Sequence, residues 1–138
     1  MFFGVLDPSS GIVSYVNGGH PPPVLLDAAG NIKERLKPTG PAVGIFPGIE
    51  FELGQTSLEG GDTLFVFSDG ATDARDQDNK LYTEKRLLSL LAPPGSTAVD
   101  LLDRIDNALY AHIKSADQFD DITMMAIMRK RNLVAPAT

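Results

Sequence analysis

The run Thr63-Leu64-Phe65-Val66-Phe67, closed by Ser68-Asp69-Gly70, constrains this chain more than any other stretch. Four consecutive apolar side chains bury both faces of an extended segment, so the run predicts a central strand of a sheet. It is too short for a buried helix, and Gly60-Gly61-Asp62 ahead of it reads as a turn. Asp69 then sits where the chain leaves a rigid layer, a good place to hold a charge in fixed geometry. A second run has the reverse order: Asp120-Asp121 comes first, and Ile122-Thr123-Met124-Met125-Ala126-Ile127-Met128 follows.

The reversal has a geometric consequence. If the two strands are antiparallel neighbours, the end of one lies about 5 Å from the start of the other. Asp69 and Asp120/Asp121 then converge on one rim. If they are parallel, the acids lie roughly 17–20 Å apart for strands of ordinary length. Converging carboxylates repel unless a cation lies between them or one takes up a proton. A hard divalent ion with oxygen ligands, Mg²⁺ or Mn²⁺, is the simplest resident. The other reading of these two segments is a turn at Asp69-Gly70 and a solvated strand start at Asp120-Asp121.

At 138 residues the chain makes one domain with a real core. Its net charge of −6 and the lack of a basic patch argue against nucleic acid. The chain has no cysteine, which excludes disulfides, thiol nucleophiles and thiolate metal sites. No apolar run approaches the ~20 residues that span a bilayer. The opening Met1-Phe2-Phe3-Gly4 lacks the basic and apolar regions of a signal peptide. The expectation is a soluble, cytoplasmic protein without membrane contact.

Taken in order, Phe2–Leu6 and Ile12–Val16 predict a hairpin around Asp7-Pro8-Ser9-Ser10-Gly11. The first strand starts at the second residue, so the domain is expected to be N-terminally incomplete. Asn17-Gly18-Gly19-His20-Pro21-Pro22-Pro23 combines permissive and stiff backbone. His20 there is either a ligand or proton donor, or part of the turn. Val24–Leu26 and Ile32–Leu36 predict two more strands. The glycine- and proline-rich stretch from Lys37 to Gly48 predicts a loop whose Val43, Ile45 and Phe46 lie over the core, with one or two short strands among Phe51, Leu53 and Leu58. The acids after Gly70 do not make a calcium loop: counting from Asp76, the sixth position is Leu81 rather than glycine. Arg75 is available to bind a phosphate or to pair with Asp73 or Asp76. Thr83 and Thr97 read as helix caps. The second helix carries Ala98, Leu101, Leu102, Ile105 and Leu109 on one face, with His112 at its end.

Strands, then two helices, then a closing strand make an α+β arrangement, with helices packed on a largely antiparallel sheet. Four stretches together resemble the metal-dependent protein phosphatase (PPM) family, in its stage II sporulation protein E and sigma-factor-regulating branch. They are Phe3-Gly4-Val5-Leu6-Asp7 running to Asn17-Gly18-Gly19-His20-Pro21-Pro22-Pro23; Gly40-Pro41-Ala42-Val43-Gly44; Gly61-Asp62 through Ser68-Asp69-Gly70-Ala71-Thr72-Asp73-Ala74-Arg75; and Asp120-Asp121-Ile122-Thr123. The resemblance implies an antiparallel β-sandwich with flanking helices. It also implies two Mn²⁺ or Mg²⁺ ions that activate a water against phosphoserine or phosphothreonine. Matched by position, Asp69 and Asp120 are metal ligands, Asp121 is a weaker candidate, Gly70 lets the backbone pass close, and His20 is structural or sits behind the ligands.

The same resemblance implies an upstream Asp-Gly element whose aspartate bridges the metals, and nothing in this chain matches it. Residues 1–131 are therefore expected to be a partial phosphatase domain, with 132–138 a frayed tail. Two functions compete: the C-terminal part of a serine/threonine phosphatase acting on a phosphorylated regulator of the anti-sigma-factor antagonist type, or a non-catalytic interaction module that lacks the bridging acid. An open sandwich edge predicts a homodimer.

Overall fold

The computed structural model describes residues 1–131. The expected tail at 132–138 lies outside them. Two antiparallel sheets stack face to face, and helices cover one outer side. The first sheet orders β1 (Phe2–Leu6), β2 (Ile12–Asn17) and β5 (Gly54–Ser57) as β1-β2-β5. The second orders β3 (Val24–Leu26), β4 (Ile32–Arg35), β6 (Thr63–Phe67) and β7 (Met124–Met128) as β4-β3-β6-β7.

The continuous apolar run explains the layering. All five residues of β6 are buried. Alternation along a strand sends Leu64 and Val66 one way and Phe65 and Phe67 the other. Leu64 and Val66 join Val13, Tyr15, Leu25, Leu36 and Leu58 in the core between the sheets. Phe65 and Phe67 stack at 5.6 Å and join the core under the helices. A strand facing solvent on one side could not carry this run.

Three helices follow β6: α1 (Asp69–Thr72), α2 (Glu84–Ser89) and α3 (Ala98–Ile113). Both expected caps form, with Thr83 Oγ1 accepting from the Arg86 N–H at 3.4 Å and Thr97 Oγ1 from the Asp100 N–H at 3.1 Å. Helix α3 buries Leu101, Ile105, Leu109 and Ile113, the i+4 stripe of an amphipathic helix. At about 1.5–3 kcal/mol for each buried aliphatic side chain, this face outweighs any difference in helix propensity. Among the described residues no helix packs on the outer face of the first sheet, where Phe3 and Val5 stand exposed. No helix there is long and apolar enough to cross a membrane.

One expectation fails. Ile45 and Phe46 do not lie over the core, each being 61% exposed, and Val43, half-exposed, reaches only as far as Gly18. The loop is instead anchored by Phe51, whose ring lies so close to Gly18 and Gly40 that a Cβ at either position would come within 2.8 Å of it. Gly44 and Gly48 take positive φ angles with open space around them, so the segment between them arches away from the sheets.

Candidate functional site

At the rim where β6 ends and β7 begins, the backbone just after Asp69 meets the backbone of Asp121. The two strands are antiparallel, with Phe67 opposite Met124 and Thr63 opposite Met128. Pairing continues past the strands: the Ser68 N–H donates to the Thr123 carbonyl at 2.9 Å, and the Thr123 N–H to Ser68 Oγ at 3.0 Å. Ser68 Oγ also donates to the Asp121 carbonyl at 3.2 Å. Asp69, one residue on, opens α1, and its carbonyl accepts from the Asp73 N–H and from Thr72 Oγ1. The rim is thus held by main-chain bonds and hydroxyls, which leaves the Asp69 carboxylate exposed to solvent.

Gly70 is the contact that closes the rim. A Cβ there would lie 2.1 Å from the Asp121 carbonyl oxygen and 2.8 Å from its carbon. The residue after Asp69 therefore packs directly on the backbone of Asp121, as only a glycine can. Asp120 and Asp121 are both exposed. Asp120 Oδ1 accepts from the Asp121 N–H at 2.7 Å, and the Asp120 carbonyl from Gln118 Nε2 at 2.9 Å, so the turn before β7 is tied to itself.

The fit to a divalent cation is partial. Carboxylate oxygens on a fixed backbone suit a hard ion such as Mg²⁺ or Mn²⁺. Among the described residues, however, no group of three or more His, Cys, Asp or Glu side chains is arranged to hold a metal ion. The rim offers exposed carboxylates on a fixed backbone, and among the described residues they do not close into a cage.

His20 lies in a turn built by Asn17. Asn17 is fully buried. Its Nδ2 donates to the carbonyls of His20 and Leu36 at 3.1 and 3.0 Å, and its Oδ1 accepts the His20 N–H at 3.0 Å. His20 Nδ1 donates to the Pro21 carbonyl at 2.8 Å, which fixes the tautomer. Val24 faces Phe65, so the preceding prolines leave the sheet at the same end as Ser68-Asp69. The histidine helps to build the turn. Sequence reasoning passed over Asn17, although an asparagine ahead of two glycines is a signal for side-chain-to-backbone bonding.

Arg75 makes neither of the pairings open to it in the sequence. No ion pair to Asp73 or Asp76 forms among the described residues. Asp76 spends Oδ1 on the backbone N–H groups of Lys80 and Asp78, both at 2.9 Å. The Lys80 N–H is the chief reason that this carboxyl is held below the usual carboxylate range. Arg75 Nη1 donates to Asn79 Oδ1 at 2.8 Å, and its Cζ sits 4.5 Å from the centre of the Phe119 ring. The same cleft is lined by Gly70 and Asp120.

The pattern of the stage II sporulation protein E (SpoIIE) family matches residues 1–130. The chain is 43% identical over 129 residues to Protein IcfG of Synechocystis sp., covering 94% of this chain and 20% of that protein. It is 32% identical over 111 residues to phosphoserine phosphatase RsbP of Bacillus subtilis, covering 77% of this chain and 26% of that protein. It thus spans about a fifth to a quarter of these relatives. Among solved structures, the SpoIIE phosphatase domain of Bacillus subtilis, in a crystal form without domain swapping, superposes with a TM-score of 0.71 at 15% identity. That match covers 98% of this chain and 57% of the domain. The RsbU and RsbW domains of Rv1364c from Mycobacterium tuberculosis give a TM-score of 0.65 at 26% identity, over 94% of this chain and 35% of that one. The antiparallel sandwich, the pattern matched across nearly the whole sequence and the identity to IcfG agree: this chain belongs to the SpoIIE family, whose fold it shares with PP2C-type phosphatase domains.

Proposed function

We propose that this chain carries the Asp69 and Asp120 metal ligands of a metal-dependent protein phosphatase. Its substrates would be phosphoserine or phosphothreonine on a regulatory protein of the anti-sigma-factor antagonist type. The observation that carries this is the antiparallel register of β6 and β7, which sets the residue after Asp69 against the backbone of Asp121. RsbP is named a phosphoserine phosphatase, and RsbU and RsbW domains occur together in one solved protein; both support a partner-switching role. Mn²⁺ or Mg²⁺ fits the oxygen donors, and one SpoIIE phosphatase crystal is described as Mn presoaked. Such ions, when bound, acidify a water and neutralise charge on the phosphoryl oxygens.

This chain's share is to hold two carboxylates at fixed separation on main-chain bonds, with Asp121 at the strand start and Gly70 keeping the two backbones in contact. His20 serves by fixing the neighbouring turn. A regulator of this type acts in the cytoplasm, which is where we place the chain.

The incomplete donor set favours a second reading, in which the chain by itself is a non-catalytic interaction module. Mn²⁺ titration with a phosphatase assay on a phosphoserine protein separates the two. The hydrolase reading expects metal-dependent turnover in the full-length protein and its loss in Asp69→Ala; full activity in that variant refutes the assignment. Robust turnover by these 138 residues alone refutes the module reading.

A further inference from the structure

We infer that Arg75 is the residue that takes the phosphoryl group of the substrate, a reading that rests on the hydrolase site proposed above. Three features of its guanidinium lead there. It is fixed: Nη1 is held by Asn79 Oδ1 at 2.8 Å and the planar group lies over Phe119 at 4.5 Å. It is beside the rim: Phe119 directly precedes Asp120, and Arg75, Asp120 and Gly70 line one cleft. It is also unneutralised: no carboxylate pairs with it among the described residues, and Nε is buried without a hydrogen-bond partner.

A buried charged donor without an acceptor is costly, and most proteins avoid it. Here an acceptor was within reach in the sequence, yet the Asp76 carboxylate closes its own loop instead. The fold keeps an oriented cation, without an ion pair among the described residues, beside Asp120 and beside Gly70, the neighbour of Asp69. A phosphomonoester dianion complements this cation through Nη2, the guanidinium nitrogen that neither Asn79 nor burial takes up, and a planar guanidinium directs that donor as a point charge does not. The cleft between Arg75 and Asp120 is too tight to admit a water molecule, so the phosphoryl group meets Arg75 from outside it. An adjoining groove of about 470 Å³, which Arg75, Asp117 and Phe119 also line, gives the phosphoryl group its approach. Stacking on Phe119 fixes the plane of the fork without using up its donors.

The test uses the 138-residue chain, ¹⁵N-labelled and held in EDTA so that no metal contributes. O-phosphoserine and serine are titrated separately while the Arg75 Nε–H resonance is followed, assigned by its absence in Arg75→Lys. The expected result is a saturable shift with phosphoserine and none with serine. Arg75→Lys keeps the charge but loses the fork, and should bind phosphoserine about tenfold more weakly or worse. Should Arg75→Lys fail to fold, Asn79→Ala, which releases the guanidinium, is expected to weaken binding severalfold. A resonance that both compounds move alike, or that neither moves, overturns the inference. Mn²⁺ binding by wild type and Asp69→Asn is measured in parallel on the full-length protein, because the donor set of this chain alone is incomplete. An Arg75 shift without Asp69-dependent Mn²⁺ binding keeps the phosphate site and sinks the hydrolase reading. Asp69-dependent Mn²⁺ binding without the shift does the reverse.

Discussion

Replacing Gly70 by alanine tests the rim on which the functional reading stands. By helix propensity alone the change should stabilise, since alanine is favoured over glycine in a helix by about 1 kcal/mol. The tertiary contact reverses that sign. The new Cβ would lie 2.1 Å from the Asp121 carbonyl oxygen, and ordinary contact begins near 3.4 Å, so a retreat of about 1.3 Å is required. The atom in the way is backbone, which has no rotamer to escape into. That retreat pulls on the three hydrogen bonds joining Ser68 to Asp121 and Thr123. At about 1 kcal/mol net for each bond, roughly 3 kcal/mol is lost. With the propensity gain subtracted, Gly70→Ala should destabilise by about 2 kcal/mol, which lowers Tm by roughly 6–8 °C for a domain of this size. Urea unfolding followed by circular dichroism reads the free energy, and a thermal scan reads the shift. A variant as stable as wild type, or more so, would show that the two backbones are not in contact, and the case for converging acids would fail with it.

Other consequences can be checked by similar means. Asn17→Ala removes the side chain that satisfies the buried His20 and Leu36 turn; we expect a loss of about 2–3 kcal/mol in urea unfolding, and a neutral result would contradict the assigned role. Asp7 has its carboxyl lowered from 3.8 to about 2, chiefly by the Ser9 hydroxyl and then by that of Ser10. Because the folded value is depressed, its contribution is complete above the ordinary value and drains away as pH falls through the folded one. The stability gap between wild type and Asp7→Asn should therefore be constant above pH 4 and shrink towards pH 2; a gap that widens there would give the wrong sign. The β1 edge, with Phe3 and Val5 exposed, is expected to pair with a second copy of the chain. Sedimentation should show a concentration-dependent dimer that Val5→Lys weakens, and a monomer at every concentration would refute it.

Much of this protein was legible in residue order alone. A five-residue buried strand has one plausible place in a sheet, so residue order alone makes Thr63–Phe67 central. Both helix caps were visible for the same kind of reason, since a hydroxyl at Thr83 or Thr97 acts within four residues of chain. The opposite order of acid and apolar run at Asp69 and Asp120 raised the question of convergence, but period and polarity cannot tell parallel from antiparallel pairing. Only the β6–β7 register answered it. Arg75 shows the limit from the other side. Its nearest acids in sequence are Asp73 and Asp76, yet its partners are Asn79 and a phenylalanine 44 residues away, because Asp76 had already closed its own loop. The exposed Ile45 and Phe46 follow the same rule: an apolar residue in a loop is buried only if the backbone carries it inward, and the positive-φ glycines turn this one out. Local chemistry determined the elements; contacts between distant segments decided which charges meet.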